Sequence, residues 1–357
     1  MEQGDVFLVE LSENSPLQER LSAMGKIIAG SGFDAVIAKK DKVAIKIHVG
    51  EKNNDTHIAP AIIRVIVDRV KNLGASPFLT ETSTLYKGER SNAIDHIMHA
   101  FTHGFTCEKF GAPFIMADGL LGNTEIEVPI KGVLYAKVNI AREIVLAETI
   151  IAVSHPTGHV ENALGACLKN LGMGLSSRIG KLRQHSSIKP RIKTIPCTFC
   201  GKCIKWCPED AIIEKDGKAF IIEEKCIGCG ECLAVCNFDS VEYNWGTGST
   251  ELQKKVAEHA LGVLEGKRDK SFFINVLADM TKDCDCLNIK QRKIQADVGI
   301  IAAADPVAID QATLDLTKAK FGKTIAEASR PSLDATVQLA HAEKIGLGSR
   351  TYRLIKL

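Results

Sequence analysis

Two short cysteine-rich segments carry the clearest chemical signal in this sequence. The segment CTFCGKCIKWCP, from Cys197 to Pro208, contains four cysteines, and CIGCGECLAVCN, at 226–237, repeats the same C-x2-C-x2-C-x3-C spacing. Thiolates are soft ligands, and close spacing lets successive sulfur atoms surround one metal centre. Eight of the chain's twelve cysteines lie in these two segments. In a chain of 357 residues, metal ligation explains such clustering better than a disulfide framework does.

The repeated spacing resembles that of bacterial-type two-cluster ferredoxins, in which the fourth cysteine of each repeat serves the other cluster. The resemblance implies two 4Fe-4S clusters, with one ligand set of Cys197, Cys200, Cys203 and Cys236 and another of Cys226, Cys229, Cys232 and Cys207. Two zinc sites are the alternative, although zinc sites usually pair C-x2-C units across a long gap. The second repeat ends in Asn237 instead of proline, and cluster assembly should tolerate this because proline is not a ligand.

A second pair of cysteines, Cys284 and Cys286, stands in the polar loop DCDC at 283–286. A packing role does not suit two thiols between aspartates. Thiols at positions i and i+2 of an extended loop can share one soft metal ion or form a redox pair. We therefore expect a metal or redox role, with one additional metal ion as a candidate cofactor.

The segment SHPTGHVENALGACLKNLGMG, at 154–174, is the third candidate. It carries His155, His159, Lys169 and Asn170, which we predict to bind a cofactor or ligand. Glycines near a helix start expose N–H groups that favour anions, and Lys169 would add positive charge. A carboxylate or phosphate site is one interpretation, and tight helix packing around the glycines is the other.

The rest of the sequence alternates between strand-like and helix-like patterns, which predicts an α/β fold. The strand-like runs are 6–11, 43–49, 77–82, 114–119, 149–156, 272–279 and 298–305. We expect a mostly parallel sheet with helices on both faces, interrupted by a small α+β ferredoxin-like domain. The predicted boundaries are 1–194 and 246–357 for the two parts of the α/β domain, and 195–245 for the insertion.

Polar residues follow several of these strands, where ligands usually bind in open α/β sheets. His48, the Ser154-His155 pair, Asp279 and Asp305 are examples, so we expect them to meet on one rim. Each has a simpler explanation as well. Asp305 precedes Pro306 and could cap a helix, Asp279 could be a turn residue, and His48 could be an interior histidine. His96, His99 and His103 share one predicted helix face, which we interpret as a helix surface.

A wider resemblance covers nearly the whole chain. The segments GASPFLTETSTLYKGERSNAIDHIMHAFTHGF, SHPTGH with GACLKNLGMG, DCDC and GIIAAADPVAIDQA resemble the iron–sulfur proteins grouped as domain of unknown function 362. The resemblance implies a large α/β domain with an inserted ferredoxin domain, and it implies no particular reaction. The segment 154–174 is also similar, more distantly, to the glycine- and lysine-bearing segment of the lactate racemase group.

The composition of the chain bears on its partners and its location. Lys and Arg number 45 against 43 Asp and Glu, without a basic stripe, so nucleic acid and membrane surfaces are poor candidate partners. The sequence has neither a signal-peptide pattern nor a membrane-length apolar run, so we expect a cytoplasmic protein. No G-x-G-x-x-G follows a strand.

Two functions remain. One is a redox enzyme or redox subunit that carries electrons between the clusters and a metal or small-molecule ligand on the rim. The other is a non-enzymatic electron carrier or docking subunit. Both expect a redox partner protein.

Overall fold

The computed structural model describes residues 4–86, 88–185, 189–226, 231–238, 240–242 and 248–357. Its strands are β1 (Asp5–Glu10), β2 (Lys42–Lys46), β3 (Ser76–Glu81), β4 (Phe114–Met116), β5 (Glu125–Pro129), β6 (Lys137–Ala141), β7 (Thr149–Ser154), β8 (Thr157–His159), β9 (Ala163–Gly165), β10 (Arg191–Ile192), β11 (Ile212–Lys215), β12 (Lys218–Ile221), β13 (Val241–Glu242), β14 (Ser271–Leu277), β15 (Gly299–Ala303) and β16 (Arg353–Lys356).

The helices are α1 (Leu17–Gly30), α2 (Pro60–Asn72), α3 (Ala93–Thr102), α4 (Cys107–Phe110), α5 (Arg142–Leu146), α6 (Cys167–Gly172), α7 (Arg178–His185), α8 (Lys202–Lys205), α9 (Glu231–Val235), α10 (Ser249–Val263), α11 (Pro306–Phe321), α12 (Ile325–Ser329) and α13 (Thr336–Lys344). Short 3₁₀ turns cover Phe33–Val36 and Arg268–Lys270.

Eight strands form one sheet in the order β16-β1-β15-β14-β7-β2-β3-β4. β15 pairs antiparallel with β1 and β14, and the other neighbours pair parallel. The predicted α/β fold with a mostly parallel sheet is therefore confirmed. The central strands β7 and β14 are buried along their whole length, as expected for strands covered on both faces.

Alternate residues of the strands enter two separate cores, one on each face of the sheet. Met24, Ile27 and Ile62, from α1 and α2, pack in one core with Ile45 and Phe272. The other core joins α6, α10, α11 and α13 to the opposite strand face through residues that include Leu168, Ala260, Ile309, Leu339 and Ile150. Period-two alternation along each strand thus decides which helix layer each of its residues packs against.

The reversed direction of β15 corrects one prediction. The end of β15 lies at the sheet edge opposite to the ends of β2, β3, β7 and β14, so Asp305 does not join the polar rim. Asp305 instead caps α11, where its carboxylate accepts hydrogen bonds from the backbone N–H groups of Val307 (2.8 Å) and Ala308 (3.0 Å). The helix-cap alternative is the correct one for this residue.

Helix α3 corrects a second prediction, because its histidines face inward. His96 and His99 are buried, whereas Ile94 and Met98 are 63% and 59% exposed. Nε2 of His96 lies 3.0 Å from a carboxylate oxygen of Glu81, and Nε2 of His99 lies 2.9 Å from a backbone carbonyl. Interpreting these two as surface residues was wrong, because polar partners in the interior outweigh the apolar pattern of the helix.

Two short paired strands flank the cysteine-rich segment. β10 pairs antiparallel with β13, so Arg191 lies opposite Glu242. Between them, β11 and β12 form a hairpin, and α8 and α9 are single helical turns within the cysteine repeats. A small core of its own includes Ile212, Ile221 and Val241.

No helix within the described part of the chain is long and apolar enough to cross a membrane.

Candidate functional site

The parallel strands end around one large cavity, which we call the cysteine cavity. It has a volume of about 580 Å³. Its lining includes Lys46 at the end of β2, Glu81 at the end of β3, Ser154 at the end of β7, and Cys284 and Cys286 in the loop after β14. The carboxyl edge of the sheet therefore gathers these groups, as the topology of open α/β sheets leads us to expect.

A buried network of charges forms one wall of the cysteine cavity. Glu81 accepts hydrogen bonds from Lys46 Nζ (3.3 Å) and Arg90 (3.1 Å), and Arg90 also pairs with Glu51 at 3.0 Å. Burial opposes ionisation of Glu81, but Arg90 and Lys46 outweigh it and hold the pKa of Glu81 well below its usual range. The network fixes these side chains in place, which gives the cavity a preorganised polar wall.

These charges carry one signal that is visible in the sequence. Lys46 is 1% exposed and ends β2 directly after the buried apolar residues Val43, Ala44 and Ile45. A lysine in a central strand needs a buried partner, and this requirement alone marks the strand as unusual. Glu51 follows β2 and is expected on this rim, as is Glu81. Tyr86 and Arg90 come from a loop that shows no regular pattern, so their part in the network depends on the tertiary structure and sequence reasoning missed it.

The loop that carries Cys284 and Cys286 is held at several points. The N–H of Gly158 donates to the carbonyl of Thr281 (3.0 Å), and the N–H of Glu51 donates to the carbonyl of Asp285 (3.0 Å). A Cβ atom at Gly158 would lie 1.7 Å from Oγ of Ser329 and 2.3 Å from the carbonyl oxygen of Lys282. Only glycine at this position lets the loop approach β8 so closely.

Cys284 and Cys286 are joined by a disulfide bond at the cavity wall. Lys169 Nζ lies 3.8 Å from Sγ of Cys284, and a ligand atom of His159 lies within 4.8 Å of both sulfur atoms. Burial, helped by the charges of Arg90 and Lys46, lowers the pKa of Lys169 to about 8. An ammonium group at this distance stabilises a thiolate, so the pair is placed for thiol–disulfide chemistry.

His159 presents one ring nitrogen to the cysteine pair. Its Nδ1 accepts hydrogen bonds from the backbone N–H groups of Glu161 (3.1 Å) and Asn162 (2.9 Å). Because Nδ1 accepts, Nε2 carries the proton of the neutral ring and is the donor left for a partner in the cavity. Burial and the charge of Lys169 hold the pKa of His159 well below its usual range, so the ring is neutral.

His155 contacts the loop of the two cysteines through the side chain of Asp285. Nδ1 lies 2.8 Å from the Asp285 carboxylate, and Nε2 lies 2.9 Å from the carbonyl oxygen of Ala278. Both partners are acceptors, so both ring nitrogens donate and the ring is an imidazolium. Burial opposes this charge, but Asp285 outweighs burial and raises the pKa of His155. His155, predicted to bind a ligand, lines the cavity with both nitrogens engaged and orients Asp285 between the two cysteines.

A side-chain carboxylate of the protein occupies the start of helix α6, where an anion site was one interpretation of the sequence. The carboxylate of Asp310 accepts hydrogen bonds from the N–H groups of Cys167 (2.9 Å) and Leu168 (2.8 Å). Asn170 donates to the carbonyl of Val153 and to Ser154 Oγ, and so ties α6 to β7. A Cβ atom at Gly172 would lie 2.0 Å from the carbonyl oxygen of Val256 in α10. The glycine therefore serves helix packing, and Lys169 is the charged residue of α6 that lines the cavity.

In the insertion, four cysteines line one small cavity: Cys197, Cys200, Cys203 and Cys236. These are the residues that the ferredoxin resemblance groups into one ligand set. Each repeat also directs a backbone N–H at the sulfur atom of its last cysteine, from Ala211 to Cys207 (3.3 Å) and from Ser240 to Cys236 (3.4 Å). Such N–H groups stabilise a negatively charged cluster, so the arrangement fits this type of cofactor.

The second predicted ligand set is described in part. Cys207, Cys226 and Cys232 lie in or against the small core of the insertion, together with members of the first set. Cys229 lies outside the described residues.

Curated proteins with similar sequences match the chain over short stretches. An uncharacterized ferredoxin of Methanocaldococcus jannaschii is 33% identical over 78 residues, which is 21% of this chain and 43% of the relative. The formate dehydrogenase-O iron–sulfur subunit of Escherichia coli is 37% identical over 71 residues, covering 19% of this chain and 24% of the relative. A component of the ion-translocating oxidoreductase complex of Methanosarcina acetivorans is 42% identical over 48 residues, covering 13% and 18%. The chain spans less than half the length of each.

Among solved structures, the apoprotein of lactate racemase from Thermoanaerobacterium thermosaccharolyticum aligns with 82% of this chain and 55% of its own, at 13% identity and a TM-score of 0.41. The family known as "Domain of unknown function (DUF362)" matches residues 43–315, from β2 into α11 and across the whole insertion. The match covers most of the chain, and the chain belongs to this family.

Proposed function

We propose that this chain is an iron–sulfur redox protein whose insertion exchanges electrons with the Cys284–Cys286 pair in the cysteine cavity. The two predicted ligand sets would hold two 4Fe-4S clusters, which supply one-electron transfer when bound. The similarity to a ferredoxin and to iron–sulfur subunits of oxidoreductases supports this type of role. A redox partner protein, and a small molecule in the cavity, would complete the system.

The observation that carries the proposal is the position of the cysteine pair. A disulfide that lines a large cavity, beside an ammonium and an imidazole, is placed to react with a bound molecule. Reduction adds two electrons and two protons to the S–S bond and yields two thiols. Lys169 then stabilises the thiolate form of Cys284, and the imidazolium of His155 holds the side chain of Asp285, the residue between the two cysteines.

A double substitution, Cys284→Ser with Cys286→Ser, tests the proposal in the otherwise intact protein. An anaerobic reductive titration of this variant should consume about two electrons per chain fewer than the unsubstituted protein does. Its iron and sulfide content, and the electron paramagnetic resonance spectrum of its reduced clusters, should be unchanged. Cys107→Ser is the matched control, because Cys107 is an exposed free cysteine on α4. An equal electron count in the double variant and the control would overturn the proposal.

A metal site is a second candidate, favoured by the mutual approach of three ligand atoms. His159, Cys284 and Cys286 offer a nitrogen and two sulfurs within 4.8 Å of one another. With the pair reduced to thiolates, this ligand set would suit zinc or iron and leave one position open for a substrate. Binding through Nε2 of His159 would move the ring proton to Nδ1 and break the two N–H bonds that Nδ1 accepts. Metal analysis separates the two candidates: a bound metal would be lost from the double variant in addition to the iron of the clusters, whereas a redox pair would leave the metal content unchanged.

A further inference from the structure

The cysteine cavity shares a wall with a second cavity that reaches the insertion. This second cavity, which we call the insertion cavity, has a volume of about 490 Å³. It lies between the loop after β3, helix α3 and helix α9 of the insertion. Leu85 and Tyr86 line both cavities, and among the described residues they alone do so. The two side chains therefore form the partition between the two spaces.

On one side, Tyr86 contacts the cysteine loop directly. Its hydroxyl lies 3.2 Å from the carbonyl oxygen of Cys286 and 2.9 Å from a carboxylate oxygen of Glu51. Burial raises the pKa of Tyr86, with Glu51 adding to the effect and Arg90 opposing it, so the phenol keeps its proton and remains a donor. The single phenol proton lies between these two acceptors, and the hydroxyl oxygen is in direct contact with the backbone of Cys286. A short path of bonded atoms and this one contact thus runs from the Tyr86 ring to the Cys284–Cys286 pair.

On the other side, the partition faces one particular cysteine of the insertion. Cys236 and Leu233, at the end of α9, line the insertion cavity with Leu85 and Tyr86. Cys236 also lines the small cavity that holds Cys197, Cys200 and Cys203. Of the second ligand set, the described members Cys207, Cys226 and Cys232 do not line the insertion cavity.

We infer that electrons reach the Cys284–Cys286 disulfide from the cluster held by Cys197, Cys200, Cys203 and Cys236, across the partition formed by Leu85 and Tyr86. The inference rests on the proposed function and adds a direction to it. The cluster of the second set is then the one nearer to the external donor, a low-potential one-electron carrier protein. Two electrons cross one at a time, the S–S bond breaks, and two protons complete the two thiols.

The test follows the oxidation state of the cysteine pair directly. Cleavage by trypsin after Lys282 and Lys290 releases the peptide DCDCLNIK, which contains both cysteines and no other. The protein is reduced anaerobically with sodium dithionite, alkylated at set times and digested. Mass spectrometry of the peptide then gives the fraction of reduced pairs. Electron paramagnetic resonance of the same samples reports the clusters independently of any activity.

Tyr86→Ala should slow reduction of the pair by about tenfold or more, with both clusters and their potentials retained. Tyr86→Phe keeps the ring without the contact to Cys286 and should give a smaller loss, and it serves if the alanine variant does not fold. Tyr352→Ala and Tyr352→Phe are matched controls, because the Tyr352 hydroxyl bonds Asp315 (3.0 Å) and Tyr352 lines neither cavity. Both controls should reduce the pair at the unsubstituted rate.

Two ligand variants test which cluster is adjacent. Cys236→Ser should abolish reduction of the pair, whereas Cys207→Ser should preserve it with dithionite as the donor. The route is overturned if Cys207→Ser abolishes reduction of the pair while Cys236→Ser preserves it, or if Tyr86→Ala reduces the pair at the unsubstituted rate. Either result leaves the proposed function standing. A pair that stays oxidised in the unsubstituted protein with fully reduced clusters overturns both.

Discussion

At the scale of single residues, the fourth cysteine of each repeat is the most informative position. Cys236 lies far along the chain from Cys197, Cys200 and Cys203, yet it lines the same small cavity. Its sulfur accepts the N–H of Ser240, as the sulfur of Cys207 accepts the N–H of Ala211 in the first repeat. On the ferredoxin pattern the two repeats exchange their last residue, and each cluster would depend on both of them.

This exchange predicts which substitutions act on the same cluster. Cys203→Ser and Cys236→Ser should each damage one cluster, whereas Cys207→Ser should damage the other. The intact protein should contain about eight iron and eight sulfide per chain, and electron paramagnetic resonance should show two interacting clusters after reduction. The single variants should lose that interaction, and the Cys203 and Cys236 variants should share one residual spectrum.

Different residual spectra for Cys203→Ser and Cys236→Ser would contradict the exchanged ligand sets. Stoichiometric zinc with little iron in the anaerobically purified protein would contradict the cluster type itself.

The sequence reveals those cysteines because their spacing is a local property of the chain. It also brings Cys284, His159 and Lys169 to one sheet edge, because each follows a strand that can be recognised. The partnership of Lys46, Glu81 and Arg90 is not predictable in the same way. Their contacts join β2, β3 and a loop without regular structure, and only the packed fold brings them together.

At the scale of elements, two departures from the sequence pattern have one cause. β15 has the same apolar pattern as the other strands, but it pairs antiparallel with β1 and β14. Helix α3 carries apolar residues on its exposed face and histidines on its buried face. Hydrophobic periodicity indicates whether a segment is a helix or a strand. The direction of a strand, and the burial of polar side chains, depend on the elements that pack against it in the folded protein.

Helix α10 carries a buried histidine that should make stability depend on pH. His259 is fully buried, and its Nδ1 donates to the carbonyl of Lys255 at 2.8 Å. Burial lowers its pKa to about 4, against the ordinary value of 6.5. Between these values the unfolded chain binds the proton and the folded chain does not. Stability from this group is therefore fully present above the unfolded pKa and is lost as pH falls towards 4.

His259→Asn should keep the donor to Lys255 and remove this titration. Lowering the pH from 7 to 5 costs the unsubstituted protein about 2 kcal/mol of unfolding free energy through His259, and the variant should be spared that loss. Anaerobic denaturant unfolding at the two pH values measures the difference. The comparison at pH 7 isolates the packing cost of the smaller side chain. Equal pH dependence in both proteins would show that His259 does not titrate as described.

At the scale of the whole molecule, the strands that flank the cysteine-rich segment lie side by side. β10 and β13 are neighbours in an antiparallel pair, and the insertion has its own small core. The ends that flank it therefore lie close together, at the separation of paired strands, about 5 Å. We therefore propose that residues 195–245 form a module lodged in a loop of the larger domain.

Removal of residues 195–243, with a short Gly/Ser linker in their place, should leave a soluble α/β domain. Both sheet-facing cores lie outside the deleted segment, so the loss of folding free energy should be small. Visible absorption should disappear with the clusters, and the far-ultraviolet circular dichroism should keep its α/β character. A full-length protein stripped of iron is the control for the effect of metal loss alone. Insolubility of the deletion variant under several conditions would show that the insertion is part of the larger core.

The partition of Leu85 and Tyr86 separates the space open to small molecules from the cavity beside the insertion. A compound that enters the cysteine cavity meets sulfur, an amine and an imidazole, and two side chains stand between it and the cavity beside α9. If electrons cross this barrier, the chain shields its oxidisable iron from the compounds it serves. It could then deliver reducing power to oxidants that would destroy an iron–sulfur cluster on contact.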